Sequence, residues 1–365
     1  MGTNPDQDTS HGDDAPSNRS AHGRNATEGE KRSTGSFRSG FVAVIGRPNV
    51  GKSTLVNRIL GTKVTITSRR PNTTRRSVRG VLHRPGVQAV LVDTPGLHRP
   101  RSALGRRLNE QVVEALYDLD VVVAMLDATA PLGPGDRLVL ERAAAACASG
   151  SKREQGLYRL HHLLVVVNKV DRATSAEVLT QLSAAHEVLK GAKNAGTLDA
   201  SSMNDEVLQH ASPHSEELDR EQDLGVEYFA VSARSGRGVD ELVEAVLERL
   251  PAGPRYFPDD MVSDVSETFW VAELVREQLL AKVRDELPHS IACRVSEWEW
   301  PRVRVEILVE RESQKAIVIG RGGEVLKEVG TAVREQLPPG AFVELHVSVE
   351  KRWQDRPEAL DRLGY

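Results

Sequence analysis

Gly46-Arg-Pro-Asn-Val-Gly-Lys-Ser53 stands between an apolar run, Phe41 to Ile45, and an apolar-periodic stretch that begins at Thr54. A G-x-x-x-x-G-K-[ST] octapeptide in that setting demands a buried strand, a tight glycine turn and a helix, and so commits the chain to an α/β fold. The spacing turns consecutive backbone N–H groups and a helix N-terminus toward one point, which is where a phosphate sits. Gly46, Arg47, Pro48, Asn49, Val50, Gly51, Lys52, Ser53 and Thr54 are therefore the first candidate contacts for a nucleotide. Lys52 would bridge the β- and γ-phosphates, and the Ser53 hydroxyl would ligate Mg²⁺.

Three later segments, each after an apolar run, specify the nucleotide. Asp93-Thr-Pro-Gly96 follows Ala89 to Val92, at the C-terminal end of a strand, where α/β sheets present their chemistry. Asp93 would hold Mg²⁺ through a water, and the Gly96 N–H would meet a γ-phosphate; Thr94 and Pro95 complete the turn. Asn168-Lys-Val-Asp171 follows Leu163 to Val167. Asp171 can accept from guanine N1–H and the 2-amino group, whereas adenine would leave a carboxylate unpaired, a difference of about 10² to 10⁴ in preference. Asn168 would hold the base and its loops, and Lys169 would lie along the base face. Ser232-Ala233-Arg234 follows Tyr228 to Val231, where a final strand would bring a backbone N–H to the guanine carbonyl. The expected ligands are GTP or GDP with Mg²⁺.

A second hydroxyl for Mg²⁺ must lie between Ser53 and Asp93. Pro71-Asn-Thr-Thr-Arg-Arg76 is the candidate, with Thr74 the preferred ligand and adjacent Thr73 close behind. Lys52, Thr74 and Gly96 make up the catalytic set. Leu97 stands where many signalling GTPases carry a water-positioning glutamine, so intrinsic turnover should be slow. Asn49 occupies a position that in related GTPases helps hold K⁺. Arg69, Arg70, Arg75 and Arg76 read as a solvated loop, with contact to RNA phosphates as the alternative.

Around these motifs the chain reads as an ordinary soluble protein. It has 365 residues, 39% of them apolar and 27% charged, and a formal net charge of -4, so nucleic-acid binding would rest on a local patch. Cys147 and Cys293 are the two cysteines and show no metal-type spacing, no apolar stretch approaches a membrane span, and the N-terminus lacks a signal-peptide pattern; a cytosolic protein is expected. Residues 1–37 lack Leu, Ile, Val and Trp and read as a disordered polar tail. Residues 38–250 read as a doubly wound, mainly parallel sheet, with polar surface insertions at 148–156 and 185–225. Pro251-Ala-Gly-Pro254 and Pro258 mark a linker over 251–258.

From residue 259 a smaller α+β domain is expected, in the order α-β-β-α-α-β. Its helix runs Glu267 to Glu286, its strands Cys293 to Trp298, Arg302 to Glu310 and Phe342 to Val349, and its short helices flank Gly320-Arg-Gly-Gly323. A G-x-x-G loop between two helices lets a nucleic-acid backbone approach two helix termini, which is the KH mode of binding single strands. Gly320, Arg321, Gly322, Gly323, Lys315 and Lys327 are the candidate RNA contacts, with Val318 and Ile319 as an apolar floor under the bases. From Asp259 onward Lys and Arg number 15 against 21 Asp and Glu, which argues for a narrow groove rather than a broad electrostatic grip. Trp298, Trp300 and Trp353 read as packed.

With both halves in view the chain resembles the bacterial Era GTPase family. The match is carried by Gly46 to Ser53, Thr73-Thr-Arg75, Asp93-Thr-Pro-Gly-Leu-His98, Asn168 to Asp171, Ile307-Leu-Val-Glu-Arg-Glu312, Gln314-Lys315, Val318-Ile-Gly320 and Leu363-Gly-Tyr365. The resemblance implies a GTPase domain joined to a type II KH domain that binds the 3′ end of 16S rRNA and assists maturation of the 30S subunit. It also implies a cytoplasmic protein, here taken as a monomer, with peripheral association with the inner face of the membrane. A GTPase whose C-terminal domain docks a protein or membrane partner in cell-cycle signalling is the alternative. A GTP-dependent RNA-modification factor is a further class, disfavoured because neither cysteine sits in a motif for it.

Overall fold

Valine and leucine dominate the central strands at residues 87–93, 121–127 and 163–168 of the larger sheet, as expected where both faces are covered by helices. In the computed structural model, which describes residues 36–365 apart from 99, 101, 117–118, 151–161, 195–224 and 284–286, the first strand β1 (Arg38–Gly46) is followed by α1 (Lys52–Leu60), β2 (Val78–Arg84) and β3 (Val87–Asp93). Then come α2 (Ala103–Glu114), β4 (Val121–Asp127), α3 (Pro134–Gly150), β5 (Leu163–Asn168), α4 (Ser175–Asn194), β6 (Glu227–Ala230) and α5 (Val239–Glu248). Six strands pair in the order β2-β3-β1-β4-β5-β6, all parallel except β2, which runs antiparallel to β3. Leu55, Val56, Leu242 and Val246 from α1 and α5 cover one face, and Val112, Val139, Leu140 and Leu189 from α2, α3 and α4 cover the other. The doubly wound sheet expected from the alternating runs is the one observed.

Both expected insertions begin inside helices. α3 continues to Gly150, and α4 continues to Asn194 because Ala185, Val188, Leu189 and Ala192, at helical spacing, are buried against the sheet. A short apolar stripe in a polar neighbourhood was enough to hold the helix. The rest of those insertions, like residues 1–35 of the expected tail, falls outside the described residues.

The second sheet stands on α6 (Glu267–Lys282). The short α7 (Leu287–Ser290), β7 (Ala292–Glu299), β8 (Arg302–Val309), α8 (Glu312–Ile319), α9 (Glu324–Arg334), β9 (Phe342–Val349) and α10 (Pro357–Leu363) follow it. β8 lies between antiparallel β7 and parallel β9. Val303, Val305, Ile307 and Val309 are fully buried on one face, as their period of two requires. α6 stops four residues short of the expected Glu286: Val283 is extended, and its carbonyl accepts Arg70 Nη2 at 2.9 Å. Val318 corrects another expectation, since it is wholly buried in this core and cannot floor a groove; Ile317, 57% exposed, is the open apolar side chain of α8.

Ser36 to Tyr365 form one compact unit. The expected linker is not free. Pro251 and Pro254 accept from Ser39, and Gln88 bonds the backbone of Tyr256 and Phe257. Leu104 and Leu108 of α2 share an apolar cluster with Ala292, Leu308, Trp353, Leu360 and Leu363.

Candidate functional site

The C-terminal ends of parallel strands deliver most of the site, and the loop between α1 and β2 adds Thr74. β1 runs into the loop Arg47–Gly51, β3 ends in Asp93, β5 ends in Asn168, and Ser232 follows β6. Pro48, Asn49, Gly51, Lys52, Ser53, Thr54, Thr73, Thr74, Gly96, Asn168, Lys169, Asp171, Ala233 and Arg234 line a single cavity of about 660 Å³. Gly46, Val50, Asp93, Thr94, Pro95 and Ser232 are buried and do not line it, and Thr94 donates to the Val44 carbonyl at 2.8 Å; Arg47 is half-buried and lies outside the lining.

At the phosphate end Lys52 is buried, its Nζ 3.1 Å from the carbonyls of both Gly46 and Arg47. Burial lowers its pKa from 10.5 to about 8, partly offset by the nearby Asp93. Ser53 Oγ lies 2.9 Å from Thr74 Oγ1, and Thr74 Oγ1 lies 3.4 Å from Asp93 Oδ2. Thr73 instead donates to the Arg70 carbonyl at 2.8 Å, so the geometry separates the two adjacent threonines in favour of Thr74. Asp93 is fully buried and its other oxygen, Oδ1, has no hydrogen-bond partner. Burial pushes its carboxyl pKa up, against the pull of Lys52 and of the Ser53, Thr65 and Thr74 hydroxyls. An unpartnered buried carboxylate oxygen beside two hydroxyls is a donor set that fits a hard divalent cation such as Mg²⁺.

At the base end Asn168 Nδ2 donates to the Val50 carbonyl at 2.7 Å and its Oδ1 accepts from Ala233 N at 2.9 Å. The Ala233 N–H of the Ser232-Ala-Arg tripeptide is thus engaged by Asn168. Gly51 must be glycine for this bridge: its φ is 104°, and a Cβ there would sit 2.3 Å from Asn168 Nδ2. Lys169, also at positive φ, pairs with Asp127. Burial alone would raise the Asp127 carboxyl, but hydrogen bonds from Lys169 and Thr129 hold it below the usual range. Asp171 stands exposed on the cavity rim.

Several supporting residues have no local motif. Asp136, at the start of α3, holds Arg47 at 2.8 Å; Thr65 donates to Asp93 Oδ2 at 2.9 Å; Arg58 of α1 grips the carbonyls of Ala233 and Arg234. Their signal is spatial, since nothing near them in sequence marks them out. Asn49 donates to the Arg69 carbonyl at 3.1 Å. The Leu97 side chain is in the core and does not line the cavity.

Arg69 and Arg76 are exposed, as a solvated loop requires, but Arg75 overturns that reading at its own position. It is 3% exposed, its guanidinium donating to the Ile291 carbonyl at 2.6 Å and the His289 carbonyl at 3.1 Å, with the rings of Trp353 and Tyr365 at 5.6 and 5.8 Å. Arg70 bonds Val283, while Arg76 packs over Phe269. Of the tryptophans, Trp353 is buried and donates to the Ser290 carbonyl at 2.9 Å, as the packed reading requires; Trp300 is 46% exposed.

In the other sheet unit, α8 leads into Gly320, and a single 3₁₀ turn over Arg321–Gly323 leads into α9. Gly322 and Gly323 have φ of 61° and 82°, and nothing lies within 4 Å of where a Cβ would be. Gly320 is different: its missing Cβ makes room for Val325, 2.5 Å from that position. Arg321 and Lys327 are exposed and Lys315 half-buried on the flanking helices.

A doubly wound sheet with this loop, lysine and hydroxyl set, followed by a GxxG loop on a three-stranded sheet, defines a P-loop GTPase with a C-terminal KH domain. Family models agree: a 50S ribosome-binding GTPase model matches residues 41–179 and a KH domain model residues 286–354. The chain belongs to the Era GTPase family. It is 40% identical to GTPase Era of Mycobacterium tuberculosis and of Mycobacterium avium, over 90% of this chain and 99% of each relative. Among solved structures it is similar to Era in complex with MgGDPNP and nucleotides 1506–1542 of 16S ribosomal RNA, at 32% identity and a TM-score of 0.71 over 90% of this chain and 99% of that one. An Aquifex aeolicus Era variant bound to GDP and tetrafluoroaluminate is similar to the same extent, with a TM-score of 0.70.

Proposed function

We propose that this GTPase is a switch that binds small-subunit 16S rRNA near its 3′ end and assists 16S rRNA processing and assembly of the 30S subunit. The observation that carries the reading is one compact unit holding both the convergence of Lys52, Ser53, Thr74 and Asp93 and the open Gly322–Gly323 loop. The complex of a related Era with 16S rRNA nucleotides supports the choice of RNA.

In this reading residues 38–250 are the GTPase domain and 259–365 the KH domain. Gly46 to Thr54 cradle the phosphates, Ser53, Thr74 and Asp93 hold Mg²⁺, and Asp171 reads guanine, with Asn168 and the Ser232–Arg234 turn shaping the base pocket. Mg²⁺ neutralises charge on the β- and γ-phosphates. Lys52 holds a proton beside the same phosphates. The Gly96 N–H reports whether a γ-phosphate is present, and Asn49 helps hold K⁺ in place of an arginine finger. Lys315, Gly320 to Gly323 and Lys327 take the RNA backbone. The protein acts as a cytoplasmic monomer with a peripheral hold on the membrane; no helix among the described residues is long and apolar enough to cross one.

Crosslinking followed by sequencing of bound RNA, with a non-hydrolysable GTP analogue and then with GDP, tests the reading. Enrichment of the 16S 3′ end with the analogue alone is expected. Equal recovery of scattered RNAs in both states would leave the GTPase and reduce the KH domain to a docking module.

A further inference from the structure

Thr74 is the one group of the proposed metal site that stands on neither a strand nor a helix; it lies on the 17-residue stretch of loop between α1 and β2. A hydroxyl on a loop must be held by something if it is to meet a metal ion with little entropic cost. Its two neighbours in the chain are both held by the KH side. On one side the Thr73 carbonyl accepts from Arg276 Nη2 of α6. On the other, the Arg75 guanidinium is buried among the His289 and Ile291 carbonyls, Trp353 and Tyr365.

Arg276 has no freedom to wander. It is wholly buried and forked against Glu273, one turn away, with Nε donating to Oε1 at 2.7 Å. The pair is therefore preorganised, and Nη2, which also donates to Glu273 Oε2, fixes the Thr73 carbonyl, while Nη1 has no hydrogen-bond partner among the described residues. A second chain of bonds reaches the first turn of α8, the helix whose other end carries Gly320. Gln314, at the first turn of α8, donates to Ser290 Oγ at 3.2 Å, Ser290 O accepts Trp353 Nε1, and His289 and Ile291, on either side of Ser290, receive Arg75.

We infer that Arg276 and Arg75 are positioning residues for the GTPase reaction: the KH domain holds Thr74 in its metal-binding place through them. This rests on the proposed role of Thr74 as a Mg²⁺ ligand. Thr74 matters to the triphosphate state with metal and not to base or diphosphate recognition, which use Asp171, Asn168 and the phosphate loop. Loosening the clamp therefore weakens one nucleotide state selectively, which loss of fold would not do.

The test replaces the buried pair as a unit, Glu273→Leu with Arg276→Met, so that no lone charge is left inside. Affinity for fluorescent GppNHp and GDP is measured with Mg²⁺ and with EDTA, together with kcat and the Mg²⁺ concentration that half-saturates hydrolysis. Expected are a fivefold or greater loss of GppNHp affinity in Mg²⁺, no change beyond twofold in EDTA or for GDP, and a Mg²⁺ requirement raised to match. Thr74→Ala should give the same pattern, and the combined variant should add nothing to it. Equal behaviour of the pair variant and the natural protein, or a parallel loss for GDP and GppNHp, overturns the inference. Should the pair variant not fold, Arg276→Lys, which keeps the charge but not the fork, carries the same comparison. If the natural protein gains no GppNHp affinity from Mg²⁺, the metal-site reading itself fails, an outcome distinct from the others.

Discussion

Asn168 Nδ2 donates to the carbonyl of Val50 at 2.7 Å, so the residue that ends β5 closes the loop that begins after β1. The Asn168–Asp171 segment and the Gly46–Ser53 loop are one bonded object, locked further by Asn168 Oδ1 on Ala233 N. Asn168→Ala leaves a buried carbonyl and a buried N–H unpaired, at about 1–3 kcal/mol each. GTP and GDP affinity should fall together by about 10- to 100-fold, as read by fluorescent-nucleotide titration; a fall confined to GTP would contradict the bridge.

Asp171 is exposed at the rim of the same cavity rather than packed in the core, so changing it should alter recognition alone. Asp171→Asn exchanges an acceptor for a donor and should move preference from guanine toward xanthine nucleotides, with melting temperature unchanged. Competition binding with GTP and XTP checks it, and retained GTP preference would remove the base-reading role.

A Cβ on Gly96 would lie 2.7 Å from the Pro48 nitrogen and 2.8 Å from its Cα, backbone atoms that cannot step aside alone. Gly96→Ala should therefore shift this turn against the phosphate loop and slow single-turnover hydrolysis at least tenfold, an effect of about 1.4 kcal/mol on the barrier. GDP affinity, which does not need the Gly96 N–H, should change by less.

At Gly322 there is room, and Asp is among the residues that tolerate a left-handed backbone, at about 1 kcal/mol. Gly322→Asp should leave GTP turnover intact while placing a carboxylate where an RNA phosphate would pass. Filter binding to a 16S 3′-end oligonucleotide is expected to weaken at least tenfold. A joint loss of RNA binding and GTP turnover would show that the two sites are not separable.

Burial pushes the thiols of Cys147 and Cys293 up to about 12. At pH 8 about one thiol in ten thousand is then a thiolate, the reactive form. Neither should react with an aromatic disulfide reagent until the protein unfolds, whereas fast modification of the native protein would reopen a nucleophilic role.

Local pattern determined much of this protein. The octapeptide, the Asp93 and Asn168 motifs, the apolar runs before them and the GxxG spacing are contiguous signals, and strands, turns and helix starts are set by contiguous residues. The sheet's winding, the guanine-nucleotide chemistry and the KH element order were all legible in this way. Helix ends were less so: α4 persists to Asn194 because four side chains find a partner surface, and α6 stops at Lys282 where Arg70 takes the next carbonyl. Tertiary structure alone decided which of two adjacent threonines faces Asp93, because that depends on what holds their neighbours. It also buried Arg75 against Ile291, 216 residues away, turning an apparent surface charge into a domain contact. A charge run in sequence carries no record of the distant carbonyls and aromatic rings that offset its desolvation, and those exist only once the chain has folded.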